Sequence, residues 1–134
     1  ISSQYSGTKA ANIANYYAGI SYLKLKEYQK AIEYLSKFSS DDEILGPTAI
    51  GAIGDAFADI DQTEDALEYY EKAANFKDNE FTTPLFLFKA GRSAMDLGQF
   101  AKAEKMFTQI KEDYPTSNTS KDIDKYIYSA KYAQ

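Results

Sequence analysis

Three glycines in this chain are each followed by an alanine twelve positions later, and the pairs recur along the sequence. The pairs are Gly19 with Ala31, Gly54 with Ala66, and Gly91 with Ala103, so the copies lie 35 and then 37 residues apart. A fixed period of this length is typical of repeat proteins, in which each unit covers the apolar face of its neighbour. We therefore expect an array of small stacked units.

Each copy has the pattern of two helices joined by a short turn. Apolar residues recur every three or four positions, as in Ala31, Ile32, Tyr34, Leu35 and Phe38 of the first copy. Small residues allow close helix crossings, so we expect each alanine to face its glycine across the pair. The predicted helices span 8–25, 28–38, 43–60, 63–75, 84–97, 100–113 and 119–132.

This pattern resembles the tetratricopeptide repeat (TPR). The matching positions are Gly19, Tyr22, Ala31 and Leu35, then Gly54, Phe57, Ala66, Tyr70 and Ala73, then Gly91, Gly98, Phe100, Ala103, Phe107 and Pro115. The departures are Asn15, Ile50 and Leu87 at the usual tryptophan and Ala94 at a usually bulky position. The resemblance implies an all-α fold, an α-solenoid formed as a right-handed superhelix of helix-turn-helix repeats.

The resemblance also divides the chain into repeats. We expect TPR units at 8–42, 43–79 and 80–116, followed by a C-terminal capping helix within 117–134. The capping helix is indicated by an apolar stripe of helical spacing, Ile123, Tyr126, Ile127 and Ala130. Residues 4–8 echo 113–117 in sequence, which predicts that 1–7 is the end of a truncated upstream repeat.

The composition removes many kinds of chemistry. The chain has no cysteine and no histidine, so Cys/His metal sites and Ser-His or Cys-His catalysis are excluded. Asp59, Asp61, Thr63 and Asp65 alternate like the first ligands of a calcium loop, but Glu64 stands where that loop needs glycine. A net charge of −5 with one arginine disfavours nucleic acid. We expect no catalytic residues, no cofactor and no metal.

Candidate partner-binding residues follow from the TPR resemblance, which places them near the concave surface: Tyr16, Tyr17, Ile20, Asp55, Asp59, Phe88, Lys89, Arg92 and Asp96. The alternative for the aromatic residues is contact with a neighbouring repeat. Some TPR domains capture a terminal carboxylate with five polar residues, whose positions here are Tyr16, Ile20, Ala52, Leu85 and Lys89. Only Lys89 conforms, so we do not expect capture of a terminal carboxylate by that mechanism.

These features predict a non-catalytic scaffold that binds a protein or peptide partner in the concave groove. The alternative is a self-assembling, homo-oligomeric TPR module. The loop Tyr114-Pro115-Thr116-Ser117 and the run Gly7 to Asn12 resemble bacterial envelope TPR proteins that are anchored by one N-terminal span. The resemblance implies a periplasmic or cell-envelope location, with a membrane anchor upstream of Ile1; the alternative is cytoplasmic.

Overall fold

The structure is a computed structural model that describes residues 8–134. The prediction for 1–7 lies outside the described residues. Within 8–134 the secondary structure is entirely helical, without a strand. The helices are α1 (Lys9–Lys24), α2 (Tyr28–Lys37), α3 (Leu45–Asp59), α4 (Thr63–Ala74), α5 (Thr82–Asp96), α6 (Phe100–Asp113) and α7 (Ile123–Ala133), with a 3₁₀ turn at Asn118–Ser120 before α7.

The helices pack as three consecutive hairpins, α1–α2, α3–α4 and α5–α6, which we call hairpins 1, 2 and 3. Each helix contacts the next along the chain, and α7 packs on α6. The first helices of neighbouring hairpins also touch, α1 with α3 and α3 with α5. The all-α solenoid of TPR repeats expected from the sequence is therefore confirmed.

All three hairpins turn in the same way. Two residues after the end of each first helix, the backbone enters the left-handed region, at Lys26 with φ 62°, Asp61 with φ 61° and Gly98 with φ 75°. The next residue's N–H donates back to the carbonyl five positions earlier, as in Gln99 to Ala94 at 2.8 Å. This is the Schellman arrangement, which satisfies carbonyls at a helix end. At two of the three turns the left-handed residue is a lysine or an aspartate and not a glycine.

The recurring glycines are buried notches, but the alanines do not fill them. A methyl group added at Gly19 would lie 2.5 Å from Leu35 Cγ, and one at Gly91 would lie 2.5 Å from a ring carbon of Phe107. At Gly54 the corresponding contact is with the ring of Tyr70. The expected pairing of glycine with alanine is thus corrected: each glycine faces the side chain sixteen positions later. The three alanines are fully buried beside it.

At the junction between hairpins 2 and 3, the first helices meet through a large side chain and a glycine. The Phe86 ring covers Gly51 so closely that a methyl group there would lie 2.0 Å from a ring carbon. By the repeat spacing, the residues equivalent to Gly51 and Phe86 at the preceding junction are Tyr16 and Ala49. By this spacing, the larger side chain is on the later helix at the second junction and on the earlier helix at the first. The combined side-chain volume of the two residues is therefore similar at both junctions.

The apolar core is continuous through the C-terminal part of the described chain and smaller near the N-terminus. One cluster extends from Ala66 to Ala130 and includes the fully buried Phe107 and Ile110. A separate cluster contains three buried residues, Leu35, Ala52 and Ile53. Hairpin 1 therefore contributes little to the larger core.

Side chains in the loops between hairpins cap the following helices. The Asp42 carboxylate accepts hydrogen bonds from the N–H groups of Ile44 at 2.9 Å and Leu45 at 2.7 Å, which lowers the pKa of this carboxyl group. Asn79 does the same for α5 through the N–H groups of Phe81 and Thr82. These caps supply partners for amides that an isolated helix leaves unpaired.

The same loops are also linked to one another and to the end of α6. The Asn79 amide donates to the backbone carbonyl of Glu43 at 2.9 Å. The Tyr114 hydroxyl donates to Asp78, and burial together with this hydrogen bond raises the pKa of Tyr114 to about 12. Successive loops are therefore joined by polar contacts along one edge of the array.

The last helix, α7, covers α6 and differs from the first helices of the three hairpins. Ile123 and Ala130 are buried against α6, and Lys111 of α6 forms an ion pair with Asp124 at 2.8 Å. Ala130 corresponds to the fully buried Ala90 of α5, so Lys131 stands where α5 has the notch glycine Gly91. A long charged side chain at that point leaves α7 without the recess that receives a second helix.

Candidate functional site

The first helices of the hairpins lie side by side and share one surface, which we call the inner face. It is formed by the solvent-facing residues of α1, α3 and α5. Of the nine predicted partner-binding residues, Tyr17, Asp59, Arg92 and Asp96 are exposed, while Tyr16, Ile20, Asp55, Phe88 and Lys89 are half-buried. The structure thus divides the predicted set into solvent-accessible groups and groups that also pack internally.

At the centre of the inner face, one carboxylate joins three helices. The Tyr70 hydroxyl of α4 donates to Asp55 Oδ1 at 2.5 Å, and Lys89 Nζ of α5 donates to the same oxygen at 2.9 Å. Burial and the hydrogen bond to Asp55 raise the pKa of Tyr70 well above its ordinary value. The ammonium of Lys89 also lies 5.8 Å from the centre of the Tyr70 ring. Lys89 is therefore neutralised from within the chain.

The exposed charges beside this network are less constrained. The Arg92 guanidinium lies 5.8 Å from the centre of the Phe88 ring, and no carboxylate in residues 8–134 lies within 4.0 Å of it. Burial, and then the neighbouring Asp59 carboxylate, raise the pKa of the Tyr28 phenol. Arg92 is thus a cation stacked on an aromatic ring and open to a ligand.

Two predicted aromatic anchors are occupied by internal contacts. The ring centres of Tyr16 and Phe38 are 5.1 Å apart, and those of Phe88 and Tyr126 are 4.8 Å apart in an edge-to-face arrangement. Ile20 packs against the N-terminal cluster. Phe88 thus contacts the neighbouring helix α7, in line with the alternative considered from the sequence, whereas the Tyr16 contact lies within hairpin 1. Tyr17, with 63% of its surface exposed, remains available to a partner.

Sequence reasoning missed exposed apolar residues on the first helices of hairpins 1 and 3. Ile13 on α1 and Leu85 on α5 are each 40% exposed, and they occupy equivalent positions in their hairpins. Phe81, one turn before Leu85, is more exposed still. The repeat period could have indicated these residues, because the spacings of 35 and 37 residues that relate the glycines also relate Ile13, Thr48 and Leu85.

The opposite side of the array contains a groove of about 610 Å³ between α2, α3 and α4. Its apolar lining includes Leu35, Ile53 and Tyr69, and its polar lining includes Ser39 and Asp41.

No group of three or more acidic side chains that could hold a metal ion occurs in the part of the chain that the structure describes. None of the helices within 8–134 combines the length and apolarity needed to cross a bilayer.

Stacked helical hairpins with a shared open face define an α-solenoid repeat protein of the kind that takes part in protein–protein interactions. Family models described as "Tetratricopeptide repeat" match residues 14–42, 47–79 and 86–117. The chain belongs to the tetratricopeptide repeat family, whose members are generally non-catalytic scaffolds.

A solved structure with a similar fold is the TPR2B-domain:pHsp70-complex of yeast Sti1. The TM-score is 0.71 at 13% sequence identity, over 92% of this chain and 98% of that chain. At this identity the likeness shows the fold alone. No curated protein sequence matches this chain significantly.

Proposed function

We propose that this chain is a non-catalytic scaffold whose inner face binds a peptide or a helix of a partner protein. The observation that carries the proposal is the exposure of Ile13, Tyr17 and Leu85 on that face. The same face carries Arg92, which has no carboxylate within 4.0 Å among residues 8–134. Exposed aromatic residues and arginine are the residue types that most often dominate binding energy at interfaces.

The rigidity of the inner face supports binding without large rearrangement. Its helices are held by the Gly51–Phe86 contact and by the hydrogen bonds that converge on Asp55. A surface whose side chains are already fixed loses less conformational freedom when a ligand docks. The similar yeast structure, a complex with pHsp70, supports a peptide ligand by analogy.

The test places a photo-crosslinking amino acid at Tyr17 or Leu85, with position Glu68 on the exposed side of α4 as the control. We expect a protein partner to crosslink from both inner-face positions and not from Glu68, and Arg92→Ala to weaken that crosslink. A partner that crosslinks only from Glu68, or one that Arg92→Ala and Tyr17→Ala leave unaffected, would contradict the inner face as the binding surface.

For the cellular setting, we propose the bacterial cell envelope, with an anchor upstream of the chain. The support is the resemblance of the loop Tyr114-Pro115-Thr116-Ser117 to envelope TPR proteins. Fractionation of cells that produce the complete gene product tests it: we expect the protein with the membranes and accessible from the periplasm. Recovery in the cytoplasm would overturn this setting.

A second candidate function is self-assembly through the last helix. Tyr128 and Tyr132 stack with ring centres 6.2 Å apart, and 77% of the Tyr132 surface is exposed. Light scattering of the purified chain decides between the two functions: a dimer that Tyr132→Ala dissociates favours self-assembly. A chain that is monomeric at all concentrations would contradict self-assembly, and the partner-binding function would then remain as the proposal.

A further inference from the structure

Two donors from different hairpins converge on a single oxygen of Asp55. Tyr70 OH reaches Oδ1 from hairpin 2 and Lys89 Nζ reaches it from hairpin 3, and both Asp55 and Lys89 keep 35% of their side-chain surface exposed. No residue of the described chain donates a hydrogen bond to Asp55 Oδ2. The carboxylate therefore sits in a cationic, hydrogen-bonding recess that opens onto the inner face.

Stacking of the hairpins does not require this network. At the junction between hairpins 1 and 2 the equivalent residues are Ile20, Leu35 and Ala52, none of which carries a polar side chain. That junction nevertheless forms with the same order of helices. The polar network at the second junction thus needs an explanation other than the fold.

We propose that Asp55 determines the ligand specificity of the inner face by filling an anion site, formed by Lys89 and Tyr70, with its own carboxylate. This inference rests on the proposed function of the inner face. Because Asp55 already occupies the site, a partner's carboxylate would find the charge of Lys89 neutralised and would be repelled by the negative charge of Asp55. Oδ2 remains free to accept, so the face selects a segment with a neutral or cationic donor at this point.

The experiment uses acetate as the anion probe and needs no partner. The purified chain, Asp55→Ala and Asp55→Asn are titrated with sodium acetate at constant ionic strength, and binding is followed by NMR shifts of the Lys89 side chain and the α5 amides. Asp59→Ala is the matched control, because it removes another inner-face carboxylate, one that forms no ion pair with any lysine of residues 8–134.

We expect the wild type and Asp59→Ala to show no saturable response. Asp55→Ala should show a saturable response, with an affinity at least about tenfold above the upper limit that the wild-type titration sets, which is the effect of one charge-assisted hydrogen bond. Asp55→Asn should gain less, because the amide still fills the recess while Lys89 loses its counter-charge.

The proposal is overturned if the wild type binds acetate as tightly as Asp55→Ala, or if neither Asp55 variant gains affinity. If Asp55→Ala does not fold, Asp55→Asn decides the question, because its side chain has the same shape. The crosslinking experiment tests the proposed function separately. If the inner face binds no partner, that experiment fails, while the acetate titration still reports whether Asp55 fills an anion site.

Discussion

At the scale of single residues, helix spacing in this chain is set by glycines and by the side chains that cover them. The sequence period identified the notches at Gly19, Gly54 and Gly91 correctly. It could not show that Leu35, Tyr70 and Phe107 fill them, since that depends on the angle at which the helices cross. Gly51 lies outside the glycine–alanine pattern, so its role beneath Phe86 was missed altogether.

Gly51→Ala should destabilise the fold because its methyl group would overlap the Phe86 ring. We expect a loss of about 2 kcal/mol in the free energy of unfolding, as for other overpacked sites. Phe86→Leu should relieve the overlap, so the double variant should lose less than the sum of the two single variants. Chemical denaturation measures all three, and strictly additive losses would contradict the contact.

Gly98→Ala tests backbone conformation without a packing contact, because no atom beyond the adjacent residues of the chain lies within 4 Å of the position of an added methyl group. The left-handed φ of 75° should cost alanine about 1 kcal/mol of unfolding free energy. Gly98→Asn is the control, since asparagine tolerates this region better and should lose less. Equal losses in the two variants would show that φ is not the cause.

At the scale of elements, helix order and approximate bounds followed from the sequence, while the helix starts did not. The prediction began α3 at 43 and α5 at 84, whereas the helices begin at Leu45 and Thr82. The caps explain the difference: Asp42 and Asn79 bind amides two and three residues ahead, a local geometry that apolar spacing does not encode.

The Asp42 cap should make thermal stability dependent on pH. Its folded-state pKa is lowered by the amides of Leu45 and Ile44, so the stabilisation is present above the unfolded value, about 3.9, and is lost as the pH falls through the folded value. We expect Asp42→Ala to lower the melting temperature at pH 7 and to have a smaller effect at pH 2. Thermal unfolding followed by circular dichroism measures this.

Asp41→Asn is the control for this experiment. It removes the same charge from the same loop, while the contact that Asp41 makes with Lys77 uses its backbone carbonyl. We expect its melting temperature to follow that of the wild type across the pH range. A loss equal to that of Asp42→Ala would mean that loop charge, and not the cap, sets the pH dependence.

At the scale of the whole molecule, stability is distributed unevenly. The large cluster joins α4, α5, α6 and α7, whereas hairpin 1 belongs to the cluster of three buried residues around Leu35. Among the helices described, α1 has a single buried residue, Gly19, and α5 has nine. The sequence indicated the array but not this imbalance, because burial depends on which neighbour covers each face.

Native-state hydrogen exchange should therefore show hairpin 1 opening before the rest. We expect amides of α1 and α2 to exchange with a lower free energy of opening than those of α5 and α6, because fewer of their residues are buried. The amides of α7 provide an internal comparison, since that end is covered by the larger cluster. Equal protection in all helices would contradict the division.

The reversed order of sizes at the two junctions also limits modularity. By the repeat spacing, deleting hairpin 2 would set Tyr16 of α1 opposite Phe86 of α5, two rings at a junction where Phe86 now covers a glycine. Duplicating hairpin 2 would instead set Gly51 against a second copy of Ala49 and leave a void. The hairpins share one architecture, but they cannot be exchanged for one another without further changes. A variant with a hairpin deleted or duplicated would also need substitutions at the two residues that face each other across the new junction.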